Sequence, residues 1–217
     1  MGDIMKIVEM FKSIDGEGKR TGEITTFIRF YGCNLGCTYC DSMYANAFNN
    51  YDNLCLDYVL GYIAFNNCNN ITITGGEPLL HKKDIREIIE NLPNTYDINI
   101  ETNGSIDIAD MYYDNVFFTV DYKLKNSGEF KNMNLDIFKN QLREKDVVKF
   151  VVSDTKDLDD MKDIINRYNL KCKIYVGGVY GIDNTFIIDY LKNNNLTMCI
   201  FQLQIHKYIW RPDMKGV

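Results

Sequence analysis

Cys33, Cys37 and Cys40 stand in the run Cys33-Asn34-Leu35-Gly36-Cys37-Thr38-Tyr39-Cys40, a C-x3-C-x2-C spacing that lets three thiolates converge from one loop. Thiolates are the usual protein ligands of iron-sulfur clusters. Three of them hold three corners of a four-iron cluster and leave the fourth iron open to another ligand. Tetrahedral zinc is the competing occupant, since it also takes thiolates at short spacing, but it requires a fourth donor. Neither His81 nor His206 lies near the loop in sequence, and Cys55 and Cys68 remain possible partners once the chain folds.

Other chemistry-bearing residues fall just after short apolar runs. Gly75-Gly76-Glu77-Pro78 follows Ile71-Thr72-Ile73-Thr74, and Glu101-Thr102-Asn103-Gly104 follows Ile100. Asp121-Tyr122-Lys123 and Gly177-Gly178-Val179-Tyr180-Gly181 occupy similar places. Without side chains, Gly75 and Gly76 let backbone amides and carbonyls come close to a ligand, which suits an amino-acid moiety, while Pro78 stiffens the exit. A plain strand-to-helix turn uses the same residue types. The cysteine loop upstream favours the binding reading.

From about residue 70 onward, short β-branched and aromatic runs alternate with amphipathic stretches, the pattern of repeated βα units on a parallel sheet. Strands are expected at 71–74, 97–102, 116–121, 147–152, 173–176 and 197–203, and helices at 82–92, 135–142, 158–168 and 185–192. Earlier, 7–14 and 26–31 read as strands joined by a turn through Gly16, Gly18 and Gly22. In parallel βα architectures, ligands bind beyond the C-terminal ends of the strands, so these strand ends point to one shared site. The expected fold class is α/β, an abbreviated partial (β/α) barrel with a mostly parallel sheet, in a single domain spanning 1–217.

Composition narrows the function further. A chain of 217 residues with 46% hydrophobic content, 15 tyrosines and 12 phenylalanines can bury a full core. Its net charge of -6 lacks the cationic surface that nucleic-acid binding needs, so a small-molecule partner is expected and no nucleic acid. No apolar stretch reaches membrane-spanning length, and the first residues carry no secretory h-region. A cytoplasmic protein with no membrane partner is therefore expected. Seven cysteines, an odd number, fit a reducing compartment, with Cys55, Cys68, Cys172 and Cys199 most simply small packed residues.

The cysteine triad and Gly75-Gly76-Glu77-Pro78 together resemble the radical S-adenosylmethionine (SAM) enzymes. A closer resemblance, nearly end to end, is to the 7-carboxy-7-deazaguanine synthase family. It rests on Ser13-Ile14-Asp15-Gly16-Glu17-Gly18, Phe27-Ile28-Arg29-Phe30, Cys40-Asp41-Ser42, Glu101-Thr102-Asn103-Gly104 and His206-Lys207-Tyr208. It implies a partial barrel of the radical SAM type, a homodimer, an external electron donor and a pterin substrate. The implied reaction is ring contraction of 6-carboxy-5,6,7,8-tetrahydropterin to 7-carboxy-7-deazaguanine with loss of ammonia, driven by an adenosyl radical rather than by a catalytic side chain.

By the same resemblance, Cys33, Cys37 and Cys40 hold a [4Fe-4S] cluster. S-adenosyl-L-methionine meets Tyr39, Gly76, Asp121, Tyr122, Lys123, Gly177, Gly178, Val179 and Tyr180. The substrate meets Ile14, Asp15, Gly16 and Thr74, and Arg29 pairs with its carboxylate, a task suited to a permanently charged, two-pronged guanidinium. Ser42 is the implied magnesium ligand, a hard oxygen on an ion that keeps waters and substrate groups in its shell. Taken alone, Ser42 reads as a turn cap, Arg29 as a strand-surface residue, and His206 as either structural or substrate-binding. Asp15 departs from the family's usual glutamine and substitutes an acceptor-only group when ionised. Two rival readings use the same motifs: an activase that makes a glycyl radical on a partner protein, and a noncatalytic zinc or iron-sulfur module.

Overall fold

The computed structural model describes residues 4–217. Strands β1 (Ile4–Ile14) and β2 (Ile24–Phe30) form an antiparallel hairpin. Its turn is closed by the Asp15 amide on Glu23 O at 2.8 Å and the Gly22 amide on Asp15 O at 2.8 Å. A short strand β3 (Asp52–Cys55) pairs with the outer edge of β1 and runs straight into helix α1 (Leu56–Asn66).

Parallel strands then extend from the other edge of β2: β4 (Asn70–Gly75), β5 (Asp97–Thr102), β6 (Val116–Tyr122), β7 (Val147–Val152), β8 (Lys173–Gly178) and β9 (Cys199–Phe201). The nine-stranded order is β3-β1-β2-β4-β5-β6-β7-β8-β9, so the sheet stays open, as the partial-barrel expectation requires. Helix α2 (Lys82–Glu90) crosses between β4 and β5, α3 (Thr155–Tyr168) between β7 and β8, and α4 (Thr185–Asn193) between β8 and β9. A short α5 (His206–Ile209) follows β9. Among the described residues no helix is long and apolar enough to cross a membrane.

Successive side chains of a strand point to opposite faces, and here the two faces carry different chemistry. Ile71, Ile73, Ile98, Ile100, Phe118, Val120, Val148, Phe150, Ile174 and Val176 join one buried apolar cluster with Ile85 and Ile88 of α2, Leu158 and Met161 of α3 and Ile187 of α4. Full burial of each such side chain stabilises the fold by about 1.5–3 kcal/mol. The alternate positions are polar: Thr72 and Thr74, Asn99 and Glu101, Thr119 and Asp121, and Lys149 in the middle of β7. The concave face is therefore a polar lumen rather than a second apolar layer.

Strands β5 and β7 occupy the expected ranges. Helix α3 starts three residues before its expected start because Asp154 caps it, accepting from the Asp157 amide at 3.0 Å. The expected helix at 135–142 is a π-helical turn, Ile137–Gln141. Gln141 pins it there, donating to Asp107 and Asp136, each at 2.8 Å, and accepting from the Ile108 amide at 3.1 Å.

Candidate active site

The cysteine loop leaves the C-terminal end of β2 and is braced from three sides. Gly32 N donates to Ala45 O at 2.9 Å, and Gly36 N donates to Glu129 Oε1 at 2.8 Å. Thr38 donates to Ser127 O through its amide at 3.0 Å and to Asn126 O through its hydroxyl at 2.7 Å. From the end of β5, Asn103 Nδ2 reaches Asn34 Oδ1 at 3.1 Å and approaches Cys33 Sγ at 3.8 Å.

Gly75 and Gly76 are required by the chain's own packing. A Cβ on Gly75 would stand 2.3 Å from Phe30 O, and one on Gly76 would stand 2.3 Å from Gly32 O and 2.7 Å from Cys33 Cβ. Glu77, fully buried, completes the junction. Its carboxylate accepts from Leu79 N at 2.9 Å, Thr102 Oγ1 at 2.8 Å and Asn103 N at 2.7 Å, while its own amide donates to Gly32 O at 2.8 Å. Burial pushes its carboxyl up to about 7 against the pull of these donors. The Gly-Gly-Glu-Pro segment thus ties the ends of β4 and β5 to the first cysteine.

All three cysteines line one cavity of about 1090 Å³ that runs down into the lumen. Burial raises the Cys33 thiol and pushes Cys37 up to about 11, so a cationic centre is what would draw the thiolate form from them. Zinc gains no fourth thiolate from the two candidates named by the sequence. Cys68 donates to Ile24 O at 3.1 Å, Cys55 ends β3, and neither lines the cavity. A four-iron cluster would suit this donor set better, since the three cysteines would hold three irons and leave the fourth to a non-protein ligand.

The same cavity is lined by Ile14, Asp15, Gly16, Arg29, Tyr39, Ser42, Thr74, Gly76, Asp121, Lys123, Val179 and Tyr180. Asp121 Oδ2 takes Lys123 Nζ at 2.8 Å, and Asp121 Oδ1 is buried with no partner among the described residues. Arg29 Nε donates to Glu9 Oε1 at 2.7 Å, and Tyr44 OH donates to the same oxygen at 2.7 Å. One edge of the guanidinium is therefore fixed, while no acceptor among the described residues takes its Nη atoms. Ser42 Oγ donates to Asp41 Oδ1 at 3.1 Å, and Asp41 Oδ2 takes Lys207 Nζ at 2.7 Å. Desolvation pulls the Asp41 carboxyl upward, but the Lys207 ammonium outweighs it and holds it well below the usual range. Gly16 is where the His206 ring lies, since a Cβ there would meet Nδ1 at 1.8 Å.

Three of the expected residues are not among those lining this cavity. Tyr122 points to the opposite face from Asp121 and Lys123, as strand alternation dictates, and its ring packs on Phe138 and Phe150 at 4.7 and 5.6 Å. Gly177 and Gly178 line a neighbouring cavity of about 30 Å³ instead, and a Cβ on Gly178 would stand 2.2 Å from Asn184 Oδ1.

The lumen also contains Lys149, which sequence reading passed over. Lys149 pairs with Glu17 across the barrel and faces Asp121 and Glu101, which together hold the buried ammonium protonated against the opposing effect of desolvation. Glu101 accepts from Thr74 Oγ1 at 3.1 Å, and burial raises its carboxyl. A single lysine in Val147-Val148-Lys149-Phe150-Val151-Val152 is the signal that marks this position. Residues 212–217 line the cavity as well, with Lys215 Nζ 4.1 Å from the centre of the Tyr44 ring.

Comparison with known proteins agrees with this arrangement. Residues 27–185 match the Radical SAM superfamily. The chain is 43% identical to the 7-carboxy-7-deazaguanine synthase of Clostridium acetobutylicum, over 98% of this chain and 99% of that protein. It is 38% identical to the protein of the same name from Methanospirillum hungatei, over 96% of this chain and 86% of that one. In fold it is similar to the crystal structure of QueE from Escherichia coli, with a TM-score of 0.72 at 21% identity over 92% of this chain and 94% of that one. With its cysteine loop, Gly-Gly-Glu-Pro junction and open parallel sheet, the chain belongs to the radical SAM superfamily and, within it, to the 7-carboxy-7-deazaguanine synthase family.

Proposed function

We propose that the protein converts 6-carboxy-5,6,7,8-tetrahydropterin to 7-carboxy-7-deazaguanine with loss of ammonia, as a step toward deazapurines of the queuosine type. The observation that carries this reading is that Arg29, with its Nη atoms available, shares one cavity with the three cysteines and Ser42. When bound, the [4Fe-4S] cluster and S-adenosyl-L-methionine supply the radical that starts ring contraction, and magnesium supplies positive charge beside the substrate carboxylate.

The chain's own residues do the holding and orienting. Cys33, Cys37 and Cys40 carry the cluster. Gly76, Tyr39, Lys123, Val179 and Tyr180 surround S-adenosyl-L-methionine, and the unpartnered Asp121 Oδ1 is an acceptor suited to its ammonium or hydroxyl groups. Tyr122, Gly177 and Gly178 contribute to that site through backbone position. Arg29 binds the substrate carboxylate, with Glu9 and Tyr44 fixing its orientation. Ile14, Asp15, Gly16 and Thr74 bound the pterin edge. Ser42 would ligate magnesium, because its proton is committed to Asp41 and its lone pairs stay free. Residues 212–217 help exclude water from the mouth of the cavity. An external one-electron donor and homodimeric assembly belong to the same reading, supported by the family resemblance.

Anaerobic incubation of reconstituted protein with reductant, magnesium, S-adenosyl-L-methionine and the carboxypterin, followed by mass spectrometry, tests the assignment. The deazaguanine carboxylate is expected. Cleavage of S-adenosyl-L-methionine without that product would reject the substrate.

A further inference from the structure

At the cavity floor Asp15 forms a buried ion pair with Arg20, a residue that no motif announces. Asp15 and Arg20 are 3% and 4% exposed, and Arg20 Nε meets Asp15 Oδ2 at 3.0 Å. The rest of the guanidinium is saturated. Nη1 donates to Asp97 O at 2.8 Å, and Nη2 donates to Ile71 O at 2.9 Å and to Thr72 Oγ1 at 2.7 Å. The Thr72 hydroxyl in turn lies 3.2 Å from Asp15 Oδ1 and 3.4 Å from Oδ2. Asp15 lines the cavity, whereas Arg20 and Thr72 do not. Arg20 therefore stands behind Asp15 and can reach a ligand only through it.

We infer that Arg20 is a positioning residue for the substrate: by engaging Asp15 Oδ2 from below, it presents the Asp15 carboxylate to the cavity floor as an acceptor for the N–H edge of an aminopyrimidinone ring. This rests on the pterin reading above and deepens it. A glutamine at this position would offer both a donor and an acceptor and would need no cation beneath it. A buried aspartate offers acceptors only, and only while ionised. Arg20 supplies the charge that makes such a floor workable.

Burial pushes Asp15 up to about 7, with Arg20 pulling it down and Glu101 adding to the rise. The groups acting on it are Arg20 on the turn, Glu101 on β5 and Thr72 on β4; Asp97 meets Arg20 rather than Asp15, the Glu17–Lys149 pair lies further along the lumen, and the His206 ring lies over the neighbouring Gly16. Substrate binding therefore strengthens as pH rises through about 7, where the acceptor ionises. Removing Arg20 moves that rise to higher pH. Glu101, Lys149 and His206 are present in every variant, so the difference between variants isolates the Arg20 contribution.

The test uses reconstituted holoenzyme and two readouts across the neutral range: KM and kcat for the carboxytetrahydropterin, and Kd for the oxidised, fluorescent 6-carboxypterin, which needs no turnover. Arg20→Gln is expected to weaken KM and Kd roughly ten- to a hundredfold near neutrality, with kcat largely kept and the deficit shrinking as pH rises. In an Asp15→Asn background the same Arg20→Gln change is expected to alter Kd by no more than about twofold, because there is no charge left to hold. Arg20→Lys retains the cation but not the bonds to Ile71 O and Asp97 O. It should lower the melting temperature while keeping the parental pH profile of Kd.

An Arg20→Gln penalty of equal size in the parental and Asp15→Asn backgrounds would overturn the inference. So would a Kd loss in Arg20→Lys that tracks its melting loss, since either result makes Arg20 a strand clamp only. Failure of the parent to form the deazaguanine would instead count against the reaction, and the 6-carboxypterin Kd values would still decide the role of Arg20.

Discussion

Replacing Glu77 by glutamine tests how the cysteine loop is held. Glu77 is fully buried, and its carboxylate takes three hydrogen bonds between 2.7 and 2.9 Å. Glutamine keeps an acceptor for Leu79 and Thr102, which share Oε1, but sets its own NH₂ group against the Asn103 amide, donor facing donor. One orphaned buried donor costs about 1–3 kcal/mol, and because burial already holds this carboxyl up to about 7, loss of its charge adds no further penalty near neutrality, so about 1–3 kcal/mol is expected. The damage should spread to the loop, because Asn103 carries the contacts to Asn34 and Cys33. Urea denaturation of Glu77→Gln, with iron and sulfide content after anaerobic reconstitution, reads both effects: a lower midpoint and reduced cluster occupancy. A glutamine variant within about 0.5 kcal/mol of the parent and fully loaded with iron would refute the reasoning.

Three further outcomes follow from the same geometry. Gly76→Ala drives a Cβ to 2.3 Å from Gly32 O, against backbone that cannot swing away, so cluster loading should fall sharply; normal iron content would contradict the close packing. Ser42→Ala should weaken the activation of turnover by magnesium while leaving iron content intact, and an unchanged magnesium titration would remove Ser42 from the metal site. Lys149→Met strands Glu17 beside Glu101 and Asp121, at a cost of about 3–5 kcal/mol above neutrality. The folded ammonium titrates above its ordinary value, so its contribution is complete at neutral pH and lost only in strong alkali. The variant should instead regain stability as pH falls and the carboxylates take up protons. A melting deficit that stays flat with pH would contradict this.

The legible parts of the molecule were those with local signals. Cysteine spacing marks the loop, and the alternation of β-branched runs with amphipathic stretches marks β4 to β8. Glycines and motif residues after those runs mark the strand ends, most of which do meet in one cavity. Residues 47–69 carried no such signal. Strand β3 has four residues, and α1 exposes Tyr58 and Phe65 while burying Val59 and Ile63, so its apolar residues do not gather on one face. Helix α5 is a single turn.

The pairings inside the lumen were illegible for a different reason. Thr72, Asn99, Glu101, Thr119 and Lys149 are visible as polar residues at every second strand position. What each one meets is set by the curvature of the whole sheet: Glu17 and Lys149 are 132 residues apart, and Arg20 reaches Ile71 and Asp97. Asp15 shows the consequence. In sequence it is a departure at the substrate edge, and only in the fold does Arg20 stand beneath it.

The most direct test of the central claim, that this one cavity brings cysteine-bound cluster and carboxypterin together for radical ring contraction, is product yield against a limiting supply of S-adenosyl-L-methionine. Reconstituted protein with excess carboxypterin, magnesium and reductant should form more 7-carboxy-7-deazaguanine than the S-adenosyl-L-methionine supplied, as expected if the proposed reaction uses S-adenosyl-L-methionine as a recycled cofactor rather than a consumed reagent. Consumption of S-adenosyl-L-methionine with no deazaguanine above background, when the iron is fully loaded, would contradict the account.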